Sequence, residues 1–306
     1  MFAVVGTIPE QNFPLAAGET GLEDDSICIQ GRRVSINRGT PALLAAAIKA
    51  GEVLGQPAPF GYLVGDIGLG HGSRQLYEYL TRRPGESDFR SKSGTGFQVI
   101  TFHYLQPDVD WHNRILYTVE RMQRRPVLIA DAGFMYAAKM SGQSCEYDLF
   151  TPDIGELAFL ADEEAPHPFY TRGFILHEED RVPELIARAY KHKNAARHLL
   201  VKGKQDYIAN RQGIITTVDI YGEDAMEAIG GTGDTLTGIV TALIGAGMGV
   251  GDAAIVAAKV NRLAGHYAKP TPATQVMDII KHIPAALAKI LNENEKDVYS
   301  FHLETK

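Results

Sequence analysis

Cysteine is scarce in this chain. Cys28 and Cys145 are its two cysteines in 306 residues, far apart and with no CxxC or Cys/His spacing beside them, which argues against a structural disulfide or zinc site. Positive charge is scarce as well. The formal net charge is −7, and the paired arginines of TRRPG and QRRPV stand isolated, so neither nucleic acid nor an anionic membrane is an expected partner. The start, MFAVVGTIPEQNF, has no positive region followed by a long apolar run, and therefore does not read as a secretory signal. The most apolar stretch, TLTGIVTALIGAGMGVGDAAIVAAKV, is broken by the glycines and aspartate of GAGMGVGD, which fits two buried helices joined by a turn better than a membrane span. Internal repeats and low-complexity linkers are missing too. A soluble, cytoplasmic protein is the expectation.

What is present is enough apolar sequence, 45% of residues, to bury a large core, and a length that suits one large domain, taken here as 1–306, or two smaller ones. Short β-branched runs (FAVVG, SICIQG, FGYLVGD, FQVITFHY, PVLIADAG, YDLFTP, HLLVKG) alternate with helix-like segments, the pattern of a mainly parallel sheet with helices on both faces. Helical periodicity marks PALLAAAIKAGEVLG, SRQLYEYLTRR, HNRILYTVERMQRR, VPELIARAYKHKN and VMDIIKHIPAALAKIL, the last with Pro284 placed to kink or split it. DYIAN and IITTVDI flank an RQG turn and read as an antiparallel edge hairpin. RRPGESDFRSKSGTG and DEEAPHPFYTRG read as loops.

Two glycine-rich loops compete for the chemistry. In GGTGDTLTG, directly before an apolar helix, the amides of Gly231, Thr232 and Gly233 can surround an anion at the helix start. Asp234 at its lip can take a proton from an attacking hydroxyl, a combination that suits phosphoryl transfer; the plainer reading makes Asp234 the helix cap. No Gly-Lys-Ser/Thr follows, so this is not a Walker A loop, and no GxGxxG makes it a dinucleotide fingerprint. The rival, GDIGLGHGS, follows a buried strand. It is either a substrate loop, with Asp66 or His71 on the bound molecule, or a plain loop with Ser73 as helix cap. Lys202 either reaches phosphate or substrate or is a solvated strand-end lysine. Asp131 either hydrogen-bonds substrate or starts a turn. His103, His112, His167 and His266 show no metal-ligand spacing and read as ordinary surface or core histidines.

GGTGDTLTG before its helix resembles the GxGD signature of the ribokinase-like superfamily, and its GGTGD form is most similar to ADP- or ATP-dependent NAD(P)H-hydrate dehydratases. VLIADAGF, TPDIGEL and LLVKGKQDYIAN agree in order and spacing, with RGTPALLAAA and GDIGLGHGS as weaker echoes. The resemblance implies a three-layer α/β/α fold with a mainly parallel sheet and an antiparallel edge hairpin. It implies catalysis by Asp234, phosphate on the amides of Gly231, Thr232 and Gly233, and ATP or ADP with Mg²⁺. Asp153 and Glu156 keep the spacing of the kinases' Asn-x-x-Glu motif, which orders magnesium through water, with Asp in place of Asn; the dehydratases usually carry His there. A small-molecule substrate and a homo-oligomer are expected. Three functions stay open: a dehydratase that phosphorylates a hydroxyl and then eliminates phosphate, a small-molecule kinase that stops after phosphorylation, and a nucleotide-binding regulator without turnover.

Overall fold

The first strand, β1 (Phe2–Ile8), is buried at every position, as a strand covered on both faces must be. Its side chains alternate between two cores: Phe2 and Val4 join one hydrophobic cluster, Ala3 and Val5 the other. The computed structural model describes residues 1–82, 96–164 and 181–303; most of the two expected polar loops, at 82–96 and 162–173, and His167 lie outside the described residues.

After β1 come β2 (Ala16–Glu23), β3 (Ser26–Ile29) and β4 (Arg32–Ser35), then α1 (Thr40–Val53), β5 (Phe60–Gly65), α2 (His71–Leu80), β6 (Val99–His103) and α3 (Val109–Glu120). The middle of the chain holds β7 (Val127–Ala130), α4 (Ala132–Met140), β8 (Leu149–Phe150), α5 (Ile154–Ala161), α6 (Val182–Lys191) and β9 (His198–Val201). It ends with β10 (Asp206–Asn210), β11 (Gly213–Val218), α7 (Thr232–Gly245), α8 (Val250–Ala268), α9 (Val276–Ile280) and α10 (Ile283–Leu303).

These strands form one 11-stranded sheet in the order β11-β10-β9-β8-β7-β6-β1-β5-β2-β3-β4. From β5 to β9 the pairs are parallel, and α1 and α7–α10 cover one face while α2–α6 cover the other. The hairpin β10–β11 is antiparallel, as its turn predicts. The opposite edge departs from expectation. SICI is not a parallel strand but lies in an antiparallel β2-β3-β4 extension, attached through β2 to β5. The β2 sequence, AAGETGLE, is half-exposed and has no apolar run to announce it. Pro284 splits the last helical pattern into α9 and α10, with Val276, Ile279, Ile280, Ile283, Leu287 and Ile290 all buried.

Because β1 and β5–β9 point the same way, their carboxyl ends share one edge of the sheet. In open α/β sheets that edge is where ligands bind.

Candidate active site

Helix α7 begins from Gly231, whose φ of 102° is left-handed. Glycine adopts that turn without strain, and a Cβ there would lie 3.0 Å from Val276 Cγ2. The first i→i−4 bond of the helix runs from Thr235 N to Gly231 O, so the amides of Thr232, Gly233 and Asp234 precede the helical ladder and offer donors at its positive end. Asn261 on α8 braces this turn, accepting from Thr235 Oγ1 at 2.6 Å and donating to Thr232 O at 3.1 Å.

Asp234 does not cap the helix. The cap is Gly231, with no side-chain bond, and Asp234 is the third residue of α7, its carboxylate turned across to α1 and β6. Gly39 N donates to Oδ2 at 2.6 Å, and His103 Nε2 lies 3.1 Å from Oδ1. Gly39 has φ 69° and ψ −149°, a backbone region essentially reserved for glycine. Burial alone would raise the Asp234 pKa, but the His103 hydrogen bond and charge, Lys202 and the Gly39 amide together hold it below the ordinary carboxylate value.

Behind Asp234, His103 Nδ1 lies 3.0 Å from Thr40 Oγ1. Both residues are fully buried. Thr40 fits there because Gly6 of β1 has no side chain: a Cβ on Gly6 would sit 2.6 Å from Thr40 Oγ1. His103 Nε2 is also 3.7 Å from Asp131 Oδ2. Sequence reading, which screened histidines for metal spacing alone, passed over His103; the available signal was its position as the polar last residue of an apolar strand, at the carboxyl edge of the sheet.

Lys202 is not a solvated strand-end lysine. It follows β9, is largely buried, and donates to Asp131 Oδ1 at 3.0 Å and Oδ2 at 2.9 Å. Burial opposes its charge, but Asp131, Glu156 and Asp234 hold the ammonium well above the ordinary lysine value. The turn after it is fixed by Arg262, which pairs with Asp206 at 2.7 Å and donates to Gly203 O and Lys204 O. Gly233 keeps the space beside the lysine open, since a Cβ there would lie 3.3 Å from Lys202 Cδ. Asp131 also accepts from Thr237 Oγ1 of α7 at 2.8 Å and from the Ala132 amide that opens α4 at 2.9 Å, so it both begins a turn and joins the cluster. Single ligand atoms of His103, Asp131 and Asp234 lie within 4.8 Å of one another, a spacing a metal ion can use, but Lys202 already supplies a cation to Asp131.

Asp153 and Glu156 form a capping box at the start of α5: Glu156 N donates to Asp153 Oδ1 at 2.7 Å and Asp153 N to Glu156 Oε2 at 2.8 Å. Tyr136 OH donates to Glu156 Oε1 at 3.1 Å. Burial first, and then the charges of Asp153 and Asp131, push the Glu156 carboxyl up to about 8. A bridge between Asp153 and Lys202 sets this pair beside the lysine.

The rival loop folds on itself. Asp66 Oδ1 accepts from the amides of Gly68, Leu69 and Gly70 at 3.0 Å, and Oδ2 accepts from Ser73 N and Oγ at 2.9 Å. None of these bonds reaches the Asp234 cluster. Ser73 is not the helix cap either, because α2 starts at His71 from a left-handed Gly70. Of the other histidines, His112 is buried between Ser141 Oγ and Tyr147 OH, and His266 meets Glu223 at 2.7 Å.

The fold and this cluster define an α/β enzyme class with the α7 turn at its centre, and comparison with known proteins makes the class specific. The family described as NAD(P)H-hydrate dehydratase matches residues 106–285, more than half of the chain, and the chain belongs to it. An uncharacterised protein of Methanocaldococcus jannaschii is 38% identical over 250 residues, which are 81% of this chain and 100% of that protein. The bifunctional NAD(P)H-hydrate repair enzyme Nnr of Pyrobaculum aerophilum is 30% identical over 148 residues, 48% of this chain but 26% of that protein; the enzyme of the same name from Hyperthermus butylicus is 40% identical over 110 residues, 34% and 20% respectively. Among solved structures, a ribokinase-like superfamily protein from Enterococcus faecalis superposes with a TM-score of 0.55 at 16% identity, over 94% of this chain and 87% of that one. Phosphofructokinase-2 from Escherichia coli in complex with fructose-6-phosphate gives 0.52 at 13% identity, over 94% and 100%. At those identities the likeness is one of fold, and the fold is ribokinase-like. No helix among the described residues is long and apolar enough to cross a membrane.

Proposed function

We propose that this protein is a nucleotide-dependent NAD(P)H-hydrate dehydratase-like enzyme that phosphorylates a hydroxyl of its substrate and then eliminates phosphate. The observation that carries the reading is the placement of Asp234. It is held as a carboxylate by Gly39 and His103, one residue beyond helix-start amides that face no helical partner, with the Lys202 ammonium close to Gly233. A base and an anion site adjoin.

The residues fit the phosphates of ATP or ADP, since the amides of Gly231, Thr232 and Gly233 and the positive end of α7 favour anions and Lys202 adds a buried positive charge. Asp153 and Glu156 fit Mg²⁺, a hard cation that keeps much of its water and prefers carboxylate oxygens; when bound it neutralises phosphate charge. In this scheme Asp234 takes the proton from the substrate hydroxyl as that oxygen bonds to the terminal phosphorus of the nucleotide, the phosphoanhydride bond breaks and the shortened nucleotide leaves, while the helix start stabilises the charge that collects on the transferred group. Lys202 and Thr237 orient Asp131 toward the substrate. The C–O bond to phosphate then breaks, a neighbouring C–H proton is lost to water, and the C–H electron pair forms the carbon–carbon double bond.

Asp153 favours a second reading. The position matches the kinase spacing without the histidine usual in the dehydratases, so an enzyme that stops at the phosphorylated product remains the alternative. The two are separated by incubating the protein with Mg²⁺, ATP or ADP, and either hydrated NADH or a panel of sugar and vitamin-precursor alcohols. Return of reduced-nicotinamide absorbance from the hydrate with one nucleotide is the expected result. Nucleotide consumption with a stable phosphorylated alcohol, and no action on the hydrate, would overturn it in favour of the kinase.

A further inference from the structure

We infer that Thr40 and His103 form a buried positioning pair behind Asp234, and that His103 sets both the aim and the basicity of its carboxylate. The inference rests on the reading of Asp234 as the base, and adds to it a role for Thr40 and a specific one for His103.

The geometry is specific. An ionised carboxylate only accepts hydrogen bonds, so the 3.1 Å contact between His103 Nε2 and Asp234 Oδ1 places the hydrogen on Nε2. The ring's other nitrogen is fixed by Thr40 Oγ1 at 3.0 Å, which prevents it from flipping. The amide of Gly39, the residue before Thr40, holds the second carboxylate oxygen at 2.6 Å. One short segment at the start of α1 therefore fixes the carboxylate twice, directly through Gly39 and indirectly through Thr40 and His103. Gly6 makes the room, because any side chain there would collide with Thr40 or with His103 O. A histidine with no exposed surface and both nitrogens engaged has no freedom to act as a mobile acid or base toward substrate; its reach is through Asp234.

The charged and titratable groups facing Asp234 come from several elements. His103 closes β6, and Tyr104 follows it with its ring edge-on to the imidazole at 4.5 Å. Asp131 follows β7, Lys202 follows β9, and the Gly39 amide precedes α1. Asp131 repels the Asp234 charge and is itself bonded by Lys202, so the donors that stabilise the Asp234 carboxylate directly are His103 and Gly39. Removing the His103 donor must raise the Asp234 pKa toward the ordinary carboxylate value.

The test uses His103→Asn, which keeps a polar group near Thr40 but cannot reach Asp234, and His103→Gln, whose amide can replace the Nε2 donor without titrating. Thr40→Val removes the anchor. The Asp234 carboxyl is followed by carbon-13 NMR of aspartate-labelled whole protein, without substrate, its signal assigned by its loss in Asp234→Asn. Its pKa is expected to rise in His103→Asn and to stay near the parent value in His103→Gln. With hydrated NADH and the active nucleotide, His103→Asn is expected to lower kcat about 10- to 100-fold, the range usual for loss of a group that orients a functional residue. The KM for nucleotide changes little, the acid limb of the pH profile moves upward, and His103→Gln recovers most of the loss. Thermal melts check folding. An Asp234 pKa in His103→Asn equal to that of the parent overturns the inference, whatever the turnover. Full turnover in Asp234→Asn with the pKa shift present would instead remove the base assignment, leaving His103 as a group that tunes a carboxylate with another role.

Discussion

The surroundings of Glu156 oppose a charge on its carboxyl group. Burial and the carboxylates of Asp153 and Asp131 raise its pKa from 4.5 to about 8. Above pH 4.5 the unfolded chain releases this proton while the folded chain retains it, so the folded state binds more protons and stability falls as pH rises. The contribution of Glu156 to the stability of the free protein should therefore fall progressively from about pH 4.5 to about pH 8. Glu156→Gln should remove that slope, as read from urea midpoints across the range. The same change should raise the Mg²⁺ concentration needed for activity more than it weakens nucleotide binding; an unchanged pH slope and Mg²⁺ requirement would contradict this account of Glu156.

At the scale of elements, an exacting contact is the one between α1 and α7, the two helices whose first turns carry the site. Gly238 permits it: a Cβ there would lie 2.2 Å from Leu43 O, and a backbone oxygen within a helix cannot step aside. Gly238→Ala gains about 1 kcal/mol of helix propensity, but overpacking costs about 1–3 kcal/mol. A lower melting temperature is expected, whereas Gly251→Ala, with its nearest neighbour at 3.8 Å, should be neutral or mildly stabilising. Elements with strong periodicity were legible from sequence. β1 and β5–β9 appear as apolar runs, and Pro284 marks the α9–α10 break. β2 was not, because AAGETGLE draws its strand character from pairing with β5 and β3 rather than from its own residues. Helices α4 and α5 were also missed, being short apolar segments with no clear stripe.

Across the whole molecule, the site joins segments distant in sequence: Gly39 and Asp234 are 195 residues apart, His103 and Asp234 131, and Lys202 and Asp131 71. Glycine chemistry in GGTGDTLTG was enough to pick out Asp234, but nothing local to ITFHY or INRGT shows that a histidine and a glycine amide will meet the same carboxylate. Sheet topology supplies that, by bringing the ends of β6, β7 and β9 and the starts of α1 and α7 to one edge. Asp66 shows the same at shorter range: in a glycine-rich loop at that edge its carboxylate accepts from the amides of Gly68, Leu69 and Gly70 and from Ser73, bonds that the loop's composition does not announce. The central claim is that Asp234 serves as the base for hydroxyl phosphorylation, and the measurement closest to it is steady-state turnover of hydrated NADH by Asp234→Asn beside the parent, with melting curves of both. Asn retains an oxygen for the Gly39 amide, and no helix cap is lost because the cap is Gly231, so the variant should fold and bind nucleotide. Turnover should fall by about 10² to 10⁴, the usual worth of a general base. Turnover within a few-fold of the parent, in a protein with an unchanged melting curve, would contradict the account.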